Sequence, residues 1–171
     1  MITVATAITL ARIALVPLVI TTCMYEQWLL AALLATIAVA TDFLDGYVAR
    51  RYQQETALGA LLDPVADKLF ILGAVTVLWA QALMPGWLML LLWAKEGMIG
   101  VGALYLWRRG LMPPQARLSG KVAMAVQSSA CLLLFFTRYT HISSLLILVT
   151  GATLYALVDY THVAYERLKN Q

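Results

Sequence analysis

Six apolar stretches follow one another along this chain of 171 residues, and only short polar connections separate them. An α-helix needs roughly 20 apolar residues to cross the hydrocarbon core of a bilayer. A chain of this length therefore has room for six crossings and for no separate soluble domain. Only 12% of the residues are charged, about half the share that is usual in a soluble domain. We therefore expect a single all-α integral membrane domain over residues 1–171, with six transmembrane helices.

The basic residues predict the orientation of these helices. The helices are predicted at residues 4–25, 28–51, 57–82, 87–109, 120–138 and 142–169. Lys and Arg are enriched on the cytoplasmic side of membrane proteins. Here they flank the ends of helices 2, 4 and 6 and the start of helix 5, at Arg50, Arg51, Arg108, Arg109, Arg117, Lys121, Arg167 and Lys169. The opposite side has only Arg138. Both termini are therefore predicted in the cytoplasm, for a multi-pass protein of the plasma (inner) membrane.

Four of the nine acidic residues lie close together, in the second and third predicted helices: Asp42, Asp45, Asp63 and Asp67. The spacings of three and four residues place each pair on one face of its helix. A polar break at residues 50–56 predicts a turn between the two helices, which brings the four carboxylates together. Gly46, Ala49 and Gly59 lie on the same faces, and small residues let another backbone or a ligand approach closely.

A cluster of carboxylates in a membrane needs compensating positive charge. By insertion scales, four uncompensated carboxylates cost on the order of 10 kcal/mol, and like charges held close together resist ionising at the same time. Hard divalent cations such as Mg²⁺, Mn²⁺ or Ca²⁺ prefer oxygen ligands, and no Cys or His lies nearby to suggest zinc. Four carboxylates can hold two such ions, which is an arrangement that clamps a phosphoryl group during in-line attack. Arg50 would then pair with phosphate, and Gly46 and Gly59 would leave room for a ligand such as a nucleotide.

These positions form a motif that also matches a known family. The motif, D-x2-D-G-x2-A-R-x8-G-x3-D-x3-D, extends from Asp42 to Asp67 and has eight fixed positions in 26 residues. It resembles the complete motif of the CDP-alcohol phosphotransferase family. Thr9 and Arg12 resemble a Thr-x2-Arg pair in the first helix of that family. The start of the fifth helix resembles phosphatidylglycerophosphate synthases and cardiolipin synthases, at Gly120, Lys121, Val122 and Gln127.

The resemblance implies a fold, a reaction and a set of site residues. It implies six transmembrane helices around a cytoplasm-facing polar cavity, usually in a homodimer. It implies two divalent ions, Mg²⁺ or Mn²⁺, with the metal ligands Asp42, Asp45, Asp63 and Asp67. Asp67 would also be the catalytic general base. The implied CDP-binding residues are Asp45, Gly46, Ala49, Arg50, Gly59 and Thr9. The implied reaction is attack of an alcohol hydroxyl on the lipid-side phosphorus of CDP-diacylglycerol, which releases CMP.

Basic residues at one predicted cytoplasmic edge suggest how the alcohol acceptor is bound. They are Lys121, Arg117, Arg108 and Arg109, and Lys121 also matches a family position. Cations there can bind a phosphate or form an ordinary basic rim that touches lipid headgroups. Phosphate binding favours glycerol 3-phosphate as acceptor and phosphatidylglycerophosphate as product. The alternative within the family is cardiolipin synthesis from phosphatidylglycerol. The chain departs from the family pattern at Thr6, Lys95 and Met124, where Asn, Arg and Thr are expected.

A small ion-coupled transporter is the competing class, since transporters also use buried aspartates. That class predicts inverted repeats, whereas the motif lies in one half of the chain and no repeat is visible. A lone Asp159 is either a structural hydrogen-bond acceptor or a proton-relay residue. Lys95 and Glu96 are adjacent and do not share a helix face, and the sequence leaves open whether either lines the site or extends towards the interface. No nucleic-acid partner is expected.

Overall fold

The computed structural model describes residues 4–52, 57–109, 117–138 and 143–169, and leaves side chains undescribed at 4–6, 8, 42–52, 57–64, 107, 143, 167 and 168. The regular structure in these ranges is entirely α-helical, which confirms the predicted all-α class. The six helices are Val4–Met24 (α1), Trp28–Tyr52 (α2), Ala57–Ala80 (α3), Gly86–Arg108 (α4), Leu118–Thr137 (α5) and Ser143–Lys169 (α6). Each predicted helix is found, with ends that differ by at most two residues.

Local backbone geometry explains where two of the helices stop. At the end of α3, the N–H of Leu83 donates to the carbonyl of Leu78, and Ala82 has a φ of 57°. A left-handed residue followed by such a bond is the usual way to terminate an α-helix. The helix therefore ends at Ala80 and not at Ala82 as predicted. Glu26 (φ 58°) ends α1 in the same manner, with a bond from the N–H of Gln27 to the carbonyl of Thr22.

Three helical stretches are long and apolar enough to cross a membrane. Within the described residues they are Gly86–Leu106, Leu118–Thr137 and Ser144–Glu166. The shorter apolar helical stretches Thr9–Met24 and Trp28–Thr41 precede them. Outward-facing side chains on these helices are often large and apolar, as at Leu29, Val101 and Ile147, which is what a lipid environment requires. These features agree with an integral membrane protein.

The chain divides into two compact units, and the first comprises residues 1–84 and 131–140. In this unit α1 packs against both α2 and α3. The face of α2 that is fully buried consists of alanines, Ala31, Ala32, Ala35 and Ala38. On α3, a Cβ atom added at Gly73 would lie only 2.9 Å from Cγ1 of Val16 in α1. Small side chains therefore allow the three helices to approach closely.

The second unit comprises residues 85–130 and 141–171, and α4 packs against α6 within it. A line of buried polar side chains connects α4, α5 and α6. Lys95 Nζ lies 3.2 Å from Gln127 Oε1, and Gln127 Nε2 donates to Thr153 Oγ1 at 2.9 Å. Lys95 also lies 2.5 Å from Glu96 Oε1.

The pairing of Lys95 with Glu96 is a contact that the sequence does not specify. Adjacent residues point in different directions from the helix axis, and the sequence leaves their contacts open. In the structure their long side chains bend towards each other, and Lys95 is only 2% exposed. The physical reason is that a buried charge without an opposite charge is costly, so pairing outweighs the unfavourable geometry of adjacent positions.

Candidate active site

Asp67 is the motif aspartate whose side chain the structure describes, and it forms an ion pair that connects α3 with α1. Nη1 of Arg12 donates to Oδ1 of Asp67 at 2.6 Å. Arg12 is 2% exposed and the Asp67 side chain 25% exposed. Thr9 lies one turn before Arg12 and is fully buried. The packing of α1 against α3 thus gives the buried Arg12 an opposite charge, and it holds one oxygen of the Asp67 carboxylate in place.

The other motif positions lie on α2 and α3, the two helices that the sequence predicts for them. The backbone at Asp42, Asp45, Gly46, Ala49 and Arg50 belongs to α2, and that at Gly59 and Asp63 belongs to α3. The predicted helical spacing of each aspartate pair is therefore present in the backbone. The side chains of these seven residues, and the link at residues 53–56, lie outside the described residues. The convergence of the four carboxylates stays a prediction.

The donor set of the motif fits a hard divalent cation. All four predicted ligands are carboxylates, which are the ligands that Mg²⁺ and Mn²⁺ prefer. Asp67 is the one whose side chain is described; it is partly exposed and already faces a cationic group, Arg12. Among the residues whose side chains are described there is no group of three or more potential ligands, and the side chains of the other three aspartates are not among them. The carboxylate chemistry of the motif therefore suits the metal that the resemblance implies.

The predicted acceptor-binding residues lie in the second unit. Arg117 immediately precedes α5, and its Nε donates to Oδ2 of Asp159 in α6 at 2.7 Å. Ser119 Oγ donates to the same oxygen. Asp159 thus serves as a hydrogen-bond acceptor, which is one of the two roles that the sequence left open. Lys121 is exposed on the first turn of α5.

The two arginines at the end of α4 are also exposed. Nη2 of Arg109 donates to Oη of Tyr105 at 2.8 Å, and its guanidinium carbon lies 5.2 Å from the centre of the Tyr105 ring. This stacking is a cation–π contact between residues one helical turn apart. Arg109 is therefore oriented by its own helix, whereas Arg117 is oriented by α6.

Sequence reasoning missed the partners of these charged residues. It names Arg12 only as part of the Thr-x2-Arg resemblance and does not assign Asp67 as its partner. A signal was available, because an arginine inside an apolar helix requires a counter-charge and the motif supplies the nearest concentration of acids in the sequence. It also did not anticipate that Asp159 holds Arg117.

The apolar helices, the acidic motif along α2 and α3, and the ion pair of Arg12 with Asp67 together describe a helical, membrane-type protein. The sequence profile of the CDP-alcohol phosphatidyltransferase family matches residues 2–157, and this chain belongs to that family. A relative from Pseudomonas fluorescens is 33% identical over 180 residues, which cover 95% of this chain and 90% of that protein. It is named CDP-diacylglycerol–glycerol-3-phosphate 3-phosphatidyltransferase.

Two further relatives match over shorter stretches. A cardiolipin synthase (CMP-forming) from Streptomyces coelicolor is 43% identical over 93 residues, which are 54% of this chain and 43% of that protein. A CDP-diacylglycerol–glycerol-3-phosphate 3-phosphatidyltransferase from Rickettsia bellii is 46% identical over 74 residues, which are 42% of this chain and 40% of that protein. The matched region therefore covers less than half the length of these two relatives.

Proposed function

We propose that this chain is a phosphatidyltransferase of phospholipid biosynthesis. It transfers the phosphatidyl group of CDP-diacylglycerol to glycerol 3-phosphate and yields phosphatidylglycerophosphate and CMP. The observation that carries the proposal is the Pseudomonas relative, because it matches 95% of this chain and its name states this reaction. The intact eight-position motif on α2 and α3 supports the same chemistry.

We propose that all six helices cross the membrane and surround a polar cavity that opens to the cytoplasm. The three long apolar helices and the two shorter apolar stretches support this arrangement. Both termini then lie in the cytoplasm, where the basic residues are concentrated. The proposed assembly is a homodimer, as the family resemblance implies.

The proposed chemistry starts with the motif residues. Asp42, Asp45, Asp63 and Asp67 hold two divalent ions, Mg²⁺ or Mn²⁺. Once bound, such ions supply positive charge that neutralises the pyrophosphate and stabilises the departing CMP. The CDP moiety is bound by Asp45, Gly46, Ala49, Arg50, Gly59 and Thr9.

Asp67 is the proposed general base. It accepts the proton of the acceptor hydroxyl while that oxygen forms a bond to the lipid-side phosphorus, and the bond from this phosphorus to the CMP oxygen breaks. The 2.6 Å contact with Arg12 holds one carboxylate oxygen and so limits the rotation of the base. A base that is held in place needs less reorganisation when the hydroxyl arrives.

The proposed acceptor-binding residues are Lys121, Arg117, Arg108 and Arg109. Their positive charge suits the phosphate of glycerol 3-phosphate. The second candidate is cardiolipin synthesis with phosphatidylglycerol as acceptor, and the identity of 43% to the Streptomyces protein favours it. The two functions differ in the acceptor and share the motif and the donor.

Release of CMP by the purified protein tests the proposal. The assay contains CDP-diacylglycerol, Mg²⁺ or Mn²⁺, and one acceptor from a panel of glycerol 3-phosphate, phosphatidylglycerol, inositol 1-phosphate and serine. We expect stimulation by glycerol 3-phosphate. Stimulation by phosphatidylglycerol alone would instead support the cardiolipin branch.

Two controls separate the enzyme from a transporter and test the metal. Chelation by EDTA should abolish CMP release, and added Mg²⁺ or Mn²⁺ should restore it. Asp63→Asn should abolish release in a protein that still folds. If Asp63→Asn and EDTA both leave CMP release unchanged, the proposed metal site is wrong. If the protein instead shows ion-coupled uptake that Asp63→Asn abolishes, the transporter is favoured.

A further inference from the structure

Two adjacent residues of α6 hold the beginning of α5. Arg117 is the residue before the first turn, since its carbonyl accepts the N–H of Lys121 at 3.1 Å. Oδ2 of Asp159 accepts hydrogen bonds from Arg117 Nε, at 2.7 Å, and from Ser119 Oγ. The backbone N–H of Arg117 also donates to Oη of Tyr160 at 3.3 Å. We refer to Arg117, Ser119, Asp159 and Tyr160 as the α5–α6 clamp.

The clamp depends on a close approach at Gly120. A Cβ atom added there would lie 2.7 Å from Oη of Tyr160 and 3.0 Å from its Cε2. Any side chain larger than hydrogen would therefore push the tyrosine ring away from α5. Because Gly120 lies between Ser119 and Lys121, the clamp fixes both the position and the rotation of the first turn of the helix.

Fixing that turn determines the direction of Lys121. Successive side chains on an α-helix are rotated by about 100° around its axis. Because the turn is held at residues 117, 119 and 120, the direction in which the side chain of Lys121 leaves the helix is fixed as well. Lys121 is exposed, whereas Asp159 and Tyr160 are partly buried against α5. Arg117 also balances the negative charge of Asp159, which would otherwise repel an anion near Lys121.

We infer that Asp159 and Tyr160 are positioning residues that set Lys121 for the phosphate of the acceptor. The inference rests on the proposed function, because Lys121 is the proposed acceptor ligand. Asp159 and Tyr160 act through α5 and need not touch the acceptor. A small displacement of a group that orients a substrate lowers catalytic efficiency by as much as about 100-fold, so loosening the clamp should weaken use of the acceptor.

Steady-state kinetics of two clamp variants test the inference. Asp159→Asn removes the charge that holds Arg117, and Tyr160→Phe removes only the hydroxyl and keeps the ring. For each variant we expect the KM for glycerol 3-phosphate to rise about tenfold, which is within the range for a misplaced orienting group. The KM for CDP-diacylglycerol and the Mg²⁺ requirement should stay unchanged. A general loss of structure would change all three.

Matched controls and a double variant make the test specific. Glu166→Gln and Tyr165→Phe remove the same groups from exposed positions of α6, and both should behave as wild type. In a Lys121→Ala background, Asp159→Asn should raise the KM for glycerol 3-phosphate less than it does in the wild type, because Lys121 is gone and only the contact with Arg117 remains to be disturbed. A further rise equal to that of the single variant would overturn the inference.

The outcomes distinguish the inference from the proposed function. A wild type that releases CMP without stimulation by glycerol 3-phosphate contradicts the proposed acceptor, and the inference falls with it. A wild type that uses glycerol 3-phosphate, with unchanged KM in both clamp variants, contradicts the inference alone. If Asp159→Asn fails to fold, as judged by size-exclusion chromatography, Tyr160→Phe decides, because it keeps the ring that packs against Gly120.

Discussion

At the scale of single residues, the pair of Arg12 and Asp67 links membrane insertion to the proposed chemistry. An arginine in an apolar helix requires a counter-charge, and Asp67 supplies it at 2.6 Å. In this contact the side chain of Asp67 is still 25% exposed, so part of its surface can be reached by a ligand. One interaction therefore stabilises α1 against α3 and orients the proposed base.

Replacing Asp67 by Asn separates the binding of the donor from the chemical step. The amide cannot accept the hydroxyl proton, and loss of a general base lowers the rate by about 10²–10⁴-fold. Binding of CDP-diacylglycerol should persist, because the other proposed ligands and the CDP-binding residues are intact. Turnover and equilibrium binding of a CDP-lipid are measured on the same preparation. Equal losses of binding and of rate would argue against Asp67 as the base.

The sequence predicted the residues of the candidate site better than their contacts. The sequence singles out Asp67 through its spacing from Asp63, and Arg12 through the resemblance to a Thr-x2-Arg pair. Their pairing across 55 positions depends on how α1 packs against α3, and no periodicity encodes that packing. The sequence does not specify the contact between Lys95 and Glu96 for a related reason. The helical geometry that separates adjacent side chains competes with the cost of burying unpaired charge, and the burial is seen only in the structure.

At the scale of helices, close packing of α1 and α3 depends on Gly73. Ala at this position would place its Cβ atom 2.9 Å from Cγ1 of Val16, and a β-branched side chain has little freedom to move away. Overpacking costs about 1–3 kcal/mol, which exceeds the gain of about 0.5–1 kcal/mol from replacing a helical glycine. Gly73→Ala should therefore lower the Tm of the protein in detergent.

Gly151 offers the matched control, since no atom of the described residues lies within 4 Å of an added Cβ there. Gly151→Ala should leave the Tm unchanged or raise it. Adding Val16→Ala to Gly73→Ala should restore part of the lost stability, because it removes the opposing atom. If Val16→Ala lowers the Tm equally in both backgrounds, steric conflict between these residues is not the cause.

The polar line through the second unit ties α4, α5 and α6 together, and Thr153 forms its end on α6. Thr153 and Thr150 each donate to a carbonyl one turn earlier in α6, but Thr153 also accepts a hydrogen bond from Gln127. Thr153→Val keeps the shape and removes that acceptor, which should destabilise the protein by about 1–2 kcal/mol. Thr150→Val should cost less. Thermal or denaturant unfolding compares the two, and equal losses would mean that the bond to Gln127 contributes nothing.

At the scale of the whole molecule, contacts inside each unit agree with the six-crossing arrangement. The guanidinium carbon of Arg138, at the end of α5, lies 5.1 Å from the centre of the Trp28 ring at the start of α2. Alternating crossings place these two helix ends on the same side of the membrane. Arg117, at the start of α5, contacts the second half of α6, and these two segments are also predicted to share a side. The helix ends that touch are thus the ones that the arrangement brings together.

The proposed orientation predicts which engineered cysteines react from each side. The native Cys23 and Cys131 are buried, and their replacement by Ala gives a cysteine-free background. Gln27→Cys lies in the turn before α2, Lys169→Cys lies at the end of α6, and both positions are exposed. Five proposed crossings separate them, so they must lie on opposite sides.

In right-side-out vesicles, a membrane-impermeant maleimide should label Gln27→Cys directly and Lys169→Cys only after permeabilisation. The reverse pattern would invert the orientation derived from the basic residues, and direct labelling of both would show that the number of crossings between them is even.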